Sequence, residues 1–346
     1  MKQSKKSFPI KNLLPALVFA IPQISAWKRQ RTYAKKREKA LRSLQTVSVF
    51  REEKTRDVLD ITLRSPIDGF LLSATLYPHA NPIGIVQIIH GIHEHKGRYE
   101  PFARFLQSHG YAVLVSDTRG HGHSVDSVFP RGKMGSFAAL RDDQFVISKY
   151  LKERFPDTPL YLFAHSLGTL IARAYLQEYD AHIDKLILCG TVMHYRLVGL
   201  GLALVRMADF YIGCRRWKNL RFMRRKTEEE IRKIIDEDPD YLHGFHPCEV
   251  ITVLELIQAV ETLGAYKKHH LHLPILSISG EYDYLVTGGK PGINRTMKAL
   301  SQLGYRDMIS IVYPHMMHEI LKDPKKEFIY QDILSFLKMK KTPPSL

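Results

Sequence analysis

The sequence predicts an α/β protein: one mostly parallel sheet with helices on both faces and an antiparallel start. Three observations predict it. Short, nearly continuous apolar runs recur at residues 83–89, 111–115, 160–163, 183–188, 274–279 and 308–313, the composition of strands buried on both faces. Segments of helical period separate most of them, which is the alternation of a parallel sheet with crossover helices. Residues able to do chemistry follow the runs directly, where the carboxyl edge of such a sheet places its site. With 346 residues, 45% of them hydrophobic, the chain can bury a large core.

Charge is unevenly placed. Residues 1–46 carry twelve Lys or Arg against one acid, Glu38, so this arm supplies +11 of the formal +16. Within it, residues 13–27 (LLPALVFAIPQISAW) are apolar, flanked by Lys2, Lys5, Lys6 and Lys11 before and by Lys28, Arg29, Arg31, Lys35, Lys36, Arg37 and Lys39 after. The run is short for a spanning helix, which needs about 20 residues, and Pro15 and Pro22 interrupt it. The positives directly after it disfavour an exported signal peptide. An interfacial anchor suits it better, with Trp27 near one end and cations each worth roughly 1 kcal/mol on anionic lipid. Basic arms meet nucleic acid or anionic membrane; the apolar run favours the membrane, so no nucleic-acid partner is expected.

The body begins near Thr46. Residues 58–63 alternate as a strand, 67–70 turn, and 71–77 form a second strand, a hairpin. The buried run 83–89 leads into His90-Gly91-Ile92-His93-Glu94-His95; 99–109 has helical period; the run 111–115 ends at Asp117-Thr118-Arg119-Gly120-His121-Gly122; 137–155 is a helix. From about 193 to 268 the alternation breaks into helices without a buried strand, the mark of an inserted cap. Strand 274–279, helix 295–303, strand 308–313 and helix 325–337 close the chain. The division expected is an arm over 1–45, a core over 46–192 and 269–340, and a helical cap over 193–268. Cys189, Cys214 and Cys248 are widely spaced and fit no metal pattern, which predicts a reduced compartment without a disulfide framework. The localisation expected is cytoplasmic, at the inner face of a membrane.

The stretch 159–170, PLYLFAHSLGTL, holds the key corner. A buried strand passes into a helix within about two residues at Ala164-His165-Ser166-Leu167-Gly168, a G-x-S-x-G pattern with Ala in the first glycine position. Such a corner is strained and projects its central side chain at a helix N-terminus. Further on, Gly280-Glu281-Tyr282-Asp283 follows one strand and Pro314-His315-Met316-Met317-His318-Glu319 the next. A Ser, an acid and a His therefore stand at successive strand ends, in that order.

With these motifs, and with His90-Gly91-x-x-Glu94-His95-x-x-Arg98-Tyr99 and Asp117-x-Arg119-Gly120-His121-Gly122-x-Ser124, the chain resembles the α/β-hydrolase fold. Within it the likeness is to the monoacylglycerol lipase, lysophospholipase and serine aminopeptidase group, over residues 55–338; Ala164 departs from the family's usual glycine. The resemblance implies catalysis by Ser166, Asp283 and His318. A Ser hydroxyl needs a base to become a nucleophile, and His318 is the candidate. Asp283 would hold its tautomer and stabilise the imidazolium. The backbone N–H of Leu167, just after the nucleophile, and, by the resemblance, that of Ile92 would receive the oxyanion. His315 is the rival base, without the family's His-Glu context. Asp117 is the rival acid, expected instead to fix its own loop. His90, His93 and His95 fit no H-x-x-E-H frame, and no cofactor or metal is expected. The elbow Ser excludes the dehalogenase and epoxide-hydrolase chemistries, which place Asp there.

Leu200, Leu202, Leu204, Val205, Met207 and Phe210 make an apolar helix within 197–212, and the basic set Arg215, Arg216, Lys218, Arg221, Arg224, Arg225 and Lys226 follows it. A lid offering apolar surface and positive charge suits a lipid ester. The activity expected is a serine hydrolase on monoacylglycerol or lysophospholipid. The alternatives are a small-ester carboxylesterase, a serine aminopeptidase, an acyltransferase, or a non-enzymatic membrane scaffold. The sequence leaves the oligomeric state open.

Overall fold

The computed structural model describes residues 13–55, 57–195, 197–213, 237–242 and 247–339. The apolar runs pair as expected. Among the described residues the sheet has nine strands, in the order β1-β2-β3-β5-β4-β6-β7-β8-β9. Antiparallel pairs join β1 (Ser48–Thr55), β2 (Val58–Arg64), β3 (Leu71–Tyr77) and β5 (Tyr111–Ser116). The pairs among β4 (Gly84–Ile89), β5, β6 (Leu160–His165), β7 (Lys185–Cys189), β8 (Ile275–Gly280) and β9 (Met308–Tyr313) are parallel. Strands β4 to β8 are buried at every residue, because helices cover both faces. This is the α/β-hydrolase architecture.

Two long polar side chains inside this sheet find full sets of partners. Gln87 on β4 donates from Nε2 to Gln144 Oε1 at 2.8 Å and accepts from Ser148 Oγ at 2.7 Å. Lys185 on β7 donates from Nζ to the carbonyls of Phe336, Leu337 and Met339 at 2.6–2.8 Å. It caps the last turn of a helix with a cation, where orphan carbonyls and the helix dipole both favour positive charge.

The helices described are α1 (Leu13–Arg42), α2 (Glu100–Ser108), α3 (Phe137–Arg154), α4 (Leu167–Tyr179), α5 (Val198–Tyr211), α6 (Pro247–Val260), α7 (Gly289–Leu303) and α8 (Lys326–Lys338). Between β7 and β8 the described residues hold α5, α6 and a 3₁₀ turn but no strand, as the broken alternation predicts. The basic run from Arg215 to Lys226 and the second cysteine, Cys214, lie outside the described residues, as do Lys2, Lys5, Lys6 and Lys11. Cys189 is free and buried, whereas Cys248 is disulfide-bonded. That corrects the expectation of a chain without disulfides, which rested on wide spacing and an odd count.

Three elements differ from the reading of the sequence. Strand β1 was not predicted; all its residues are exposed, so it carries no alternation of apolar and polar positions. Helix α7 starts at Gly289, six residues before the predicted 295, because Gly-Gly-Lys-Pro-Gly has the composition of a loop. The apolar run of the arm is continuous helix: α1 passes through Pro22. A proline inside a helix removes one N–H and leaves the carbonyl four residues back without its donor. That carbonyl is Val18 O, and the Tyr211 hydroxyl of α5 donates to it at 2.9 Å.

Helix α1 packs inward through Pro22, Ala26 and Leu41 and through a row of polar contacts. Gln23 Nε2 donates to Ala203 O of α5 at 3.1 Å. Tyr33 donates its hydroxyl to Asp142 of α3 at 3.2 Å, and Arg37 bonds Asp142 at 2.9 Å, Glu178 at 3.1 Å and the Tyr179 hydroxyl at 2.8 Å. Among the described residues no helix is long and apolar enough to cross a membrane.

Candidate active site

Strand β6 ends at His165 and α4 begins at Leu167, so the chain reverses at Ser166 alone. Ser166 adopts φ 53°, ψ −117°, a conformation that costs an L-residue on the order of 1–3 kcal/mol. Its neighbours hold it there. Ser166 N donates to Cys189 O at the end of β7 (2.9 Å), and Ser166 O accepts from Thr169 N (2.9 Å) and Thr169 Oγ1 (2.7 Å). Gly168 is required by the approach of α4 to β4: a Cβ there would lie 2.5 Å from Ile89 O. Ala164, in the first glycine position, is fully buried in strand pairing with Ile89 and Leu188, where its methyl joins the core.

The loop after β4 runs beside this corner. A Cβ on Gly91 would lie 3.2 Å from Ser166 Cβ. Ile92, next in the chain, is half-buried, and Leu167 is buried as the first residue of α4. The two segments expected to supply oxyanion donors are therefore neighbours at Ser166.

The acid and the histidine come from the turns after β8 and β9. Asp283 and His318 are both buried, and Asp283 Oδ2 lies 2.5 Å from His318 Nδ1. The Asp283 carbonyl accepts from Thr287 Oγ1, and Asp283 Oδ1 accepts from Val286 N at 3.3 Å, which fixes the carboxylate. The imidazole lies over Gly190, just past the carbonyl that anchors Ser166. A Cβ there would approach His318 Cε1 to 2.8 Å, and the residue has φ 61°, so it must be glycine. Ser166, Asp283 and His318 thus share one neighbourhood around the end of β7.

The rivals stand elsewhere. His315 is exposed and lies 2.8 Å from the Tyr282 hydroxyl. Asp117 accepts from the backbone N–H of Lys96 (2.7 Å) and His123 (2.9 Å), as a loop-fixing carboxylate does. Arg119 in that loop is fully buried against Asp143 and Asp68. His90 accepts from Thr118 N on Nε2 (2.8 Å) and donates from Nδ1 to Gly91 O (2.6 Å). Burial depresses its pKa to about 4, so it is neutral with both nitrogens engaged. His93 faces Glu249 and His95 bonds Asp238 at 2.9 Å, so these three histidines diverge. His165, His318 and Glu319 bring ligand-type atoms within 4.8 Å of one another. Lys322 bonds Glu319 at 2.6 Å and already neutralises that carboxylate.

Beneath Ser166 lies a charged network that the sequence did not disclose. Buried Glu94 accepts from Gly91 N (2.9 Å) and from the Tyr99 hydroxyl (2.8 Å), and Lys322 Nζ donates to its other oxygen. His165 Nδ1, on the residue before Ser166, lies 2.9 Å from the Tyr99 hydroxyl and 3.1 Å from Glu94 Oε2. Burial alone would raise the Glu94 carboxyl, but Lys322, His165 and Arg98 outweigh it and hold it well below the usual range. Glu319 is held at about 2, burial again being overcome by Lys322. Burial opposes the charge on His165, while Glu319 and Glu94 raise its pKa. One carboxylate thus joins the loop after β4, the serine corner and the histidine loop. A cleft of about 530 Å³, lined by Arg98, His165, Glu319 and Lys322 among others, opens on this network, and Ser166 is not in its lining. The sequence signals were Glu94 and Arg98 at i,i+4 and Glu319 and Lys322 at i,i+3; their pairing across 228 positions was not visible.

Comparison with known proteins bears on the family and the fold. A family model described as serine aminopeptidase, S33, matches residues 80–325. A monoacylglycerol lipase of Mycolicibacterium smegmatis is 24% identical over 267 residues, 75% of this chain and 90% of the relative. A phospholipase of Bacillus subtilis is 24% identical over 261 residues, 74% of this chain and 95% of its own. Among solved structures, a thermostable carboxyl esterase from Bacillus coagulans in complex with glycerol superposes with a TM-score of 0.71 at 25% identity, covering 82% of this chain and 98% of that one.

Proposed function

Because the chain belongs to the serine aminopeptidase, S33, family of α/β hydrolases, we propose that it is a serine hydrolase cleaving carboxylic esters of single-chain lipids, monoacylglycerol or lysophospholipid, through an acyl-enzyme on Ser166. The observation that carries the reading is the 2.5 Å contact between buried Asp283 and His318 beside the strained serine corner. In this reading His318 takes the Ser166 proton as the hydroxyl oxygen attacks the ester carbonyl. The oxyanion is received by the N–H groups of Ile92 and Leu167. Collapse breaks the ester bond, and the imidazolium returns the proton to the departing alcohol. Water, deprotonated by His318, then releases the fatty acid and restores Ser166. Asp283 keeps the Nδ1 proton on its side of the ring throughout, so Nε2 faces the serine.

The lipid substrate rests on two relatives named for monoacylglycerol and phospholipid hydrolysis. The helical insertion would be the cap, 193–268, over a core of 46–192 and 269–340, with the basic arm at an anionic membrane. The cations after the apolar run favour the inner face, against the oxidising compartment that a disulfide at Cys248 would ordinarily indicate. Ser166→Ala is expected to abolish turnover of a long-chain monoacylglycerol and labelling by a fluorophosphonate while the fold survives. Undiminished turnover would refute the assignment.

A second reading, a small-ester carboxylesterase, is favoured by the superposition on the Bacillus coagulans esterase. Turnover compared across a butyrate ester, a long-chain monoacylglycerol, a lysophospholipid and an amino-acid anilide separates the two. Preference for the butyrate would displace the lipid substrate, and preference for the anilide would make the protein a peptidase.

A further inference from the structure

The outward face of α1 carries large apolar residues that packing on the rest of the chain leaves uncovered. A surface helix normally turns its apolar stripe to the core and its charges to water. Here the inward positions are the buried Pro22 and Ala26 together with Gln23, Gln30, Tyr33 and Arg37, the last four bonded to α5, α6, α3 and α4. Leu17, Ile21 and Ile24 are instead exposed, Leu17 at 53% and Ile24 at 50%. Their spacing of four and three residues sets them in one line. The line continues, still exposed, as Lys28, Arg31 and Lys35. Trp27 sits at the junction, exposed, with the Arg31 guanidinium 5.1 Å from its ring.

One straight stripe, apolar in its first part and cationic in its second, fits a surface that offers hydrocarbon and anionic oxygen side by side. The junction Trp suits the boundary between them. The neighbouring helix also exposes apolar residues. Gln23 bonds Ala203 and Tyr211 bonds Val18, so α5 runs antiparallel beside α1, and it too exposes Leu200 and Leu204, with Leu197 exposed just before its first turn.

We propose that α1 is the docking element: its Leu17–Ile24 stripe enters the interface of a bilayer rich in anionic lipid, Lys28, Arg31 and Lys35 pair with the headgroups, and its inward face straps the helical insertion and the core to that surface. The proposal rests on the reading of the protein as a membrane-associated lipid hydrolase, and supplies its contact face. The strap matters because α1 touches both bodies: Gln23 and Gln30 reach the insertion, Tyr33 and Arg37 the core. Docking therefore fixes how the insertion faces the lipid from which substrate must come.

The test is flotation of the full-length chain with vesicles of phosphatidylcholine alone or with 30% phosphatidylglycerol, at low and high salt. The wild type should float with the anionic vesicles and be released by salt. Lys28→Glu/Arg31→Glu/Lys35→Glu should weaken that binding at least tenfold, and Ile21→Glu/Ile24→Glu should do the same. Unfolding temperatures within a few degrees of wild type verify that these exposed substitutions spare the fold. If the wild type floats and both variants float equally well, α1 is not the docking face, and the proposal fails while membrane association stands. If the wild type floats with neither vesicle, the membrane reading itself falls. If the variants instead change the molar mass in light scattering and leave flotation untouched, the stripe joins copies of the chain and the proposal is overturned.

Discussion

The Tyr211 hydroxyl donates to the Val18 carbonyl at 2.9 Å, and Val18 is the residue whose helical donor Pro22 removes. A defect in one helix is thus repaired by a side chain of another, and the repair joins α1 to α5. Tyr211→Phe is expected to loosen α1 by about 1 kcal/mol, the net worth of one hydrogen bond. Native-state hydrogen exchange of amides in α1 would speed up by about fivefold. In a Pro22→Ala background, where the helical donor is restored, the same substitution should cost less than half as much. Equal costs in both backgrounds would contradict the repair.

Asp283→Asn should lower kcat by about 10³–10⁴-fold, because an amide favours the wrong tautomer of His318. His318→Ala should do at least as much, while the exposed His315→Ala should stay within about twofold of wild type in steady-state hydrolysis. A large loss at His315 with none at His318 would exchange their roles.

Glu94 bonds Gly91 N, the Tyr99 hydroxyl and Lys322, so in the proposed mechanism it is a positioning residue. Glu94→Gln keeps its shape but leaves Lys322 with Glu319 alone and weakens the bond from Gly91 N. The expected result is a fall of about 10–100-fold in kcat with KM changed less than twofold. Substitution by Ala should also cost about 3–5 kcal/mol in urea unfolding, the penalty of breaking a buried ion pair. An equal rise in KM would mean that Glu94 shapes substrate binding instead.

His90 makes stability depend on pH in a predictable direction. Its folded pKa is about 4 and its ordinary value 6.5, so between those pH values the unfolded chain binds the extra proton. Stability from this group is therefore fully present above pH 6.5 and is lost as pH falls toward 4, by up to about 3 kcal/mol. Urea midpoints of wild type and His90→Gln across this window should show a shallower slope in the variant. Parallel slopes would show that His90 titrates normally.

How much of this was legible in the sequence depended on burial. Strands β4 to β8 were legible because two-sided burial demands unbroken apolar runs, and β1 was not, because an exposed edge imposes no pattern. The elbow, Asp283 and His318 were legible because each stands at the end of a strand that could be located. The link from Glu94 to Lys322 was hidden, since local charge spacing says nothing of a partner 228 residues away. The same holds for α1, where Pro22 signalled a break and the compensating hydroxyl belongs to another helix.

The carboxylate of Glu94 has a practical corollary for engineering. Since it closes the segments bearing Gly91, His165 and Lys322 on one another, none of the three can be grafted from a relative by itself. A chimera that imports the histidine-bearing turn alone would carry a foreign residue opposite a fixed acid. Such exchanges should be made as a matched trio, with Tyr99 travelling alongside.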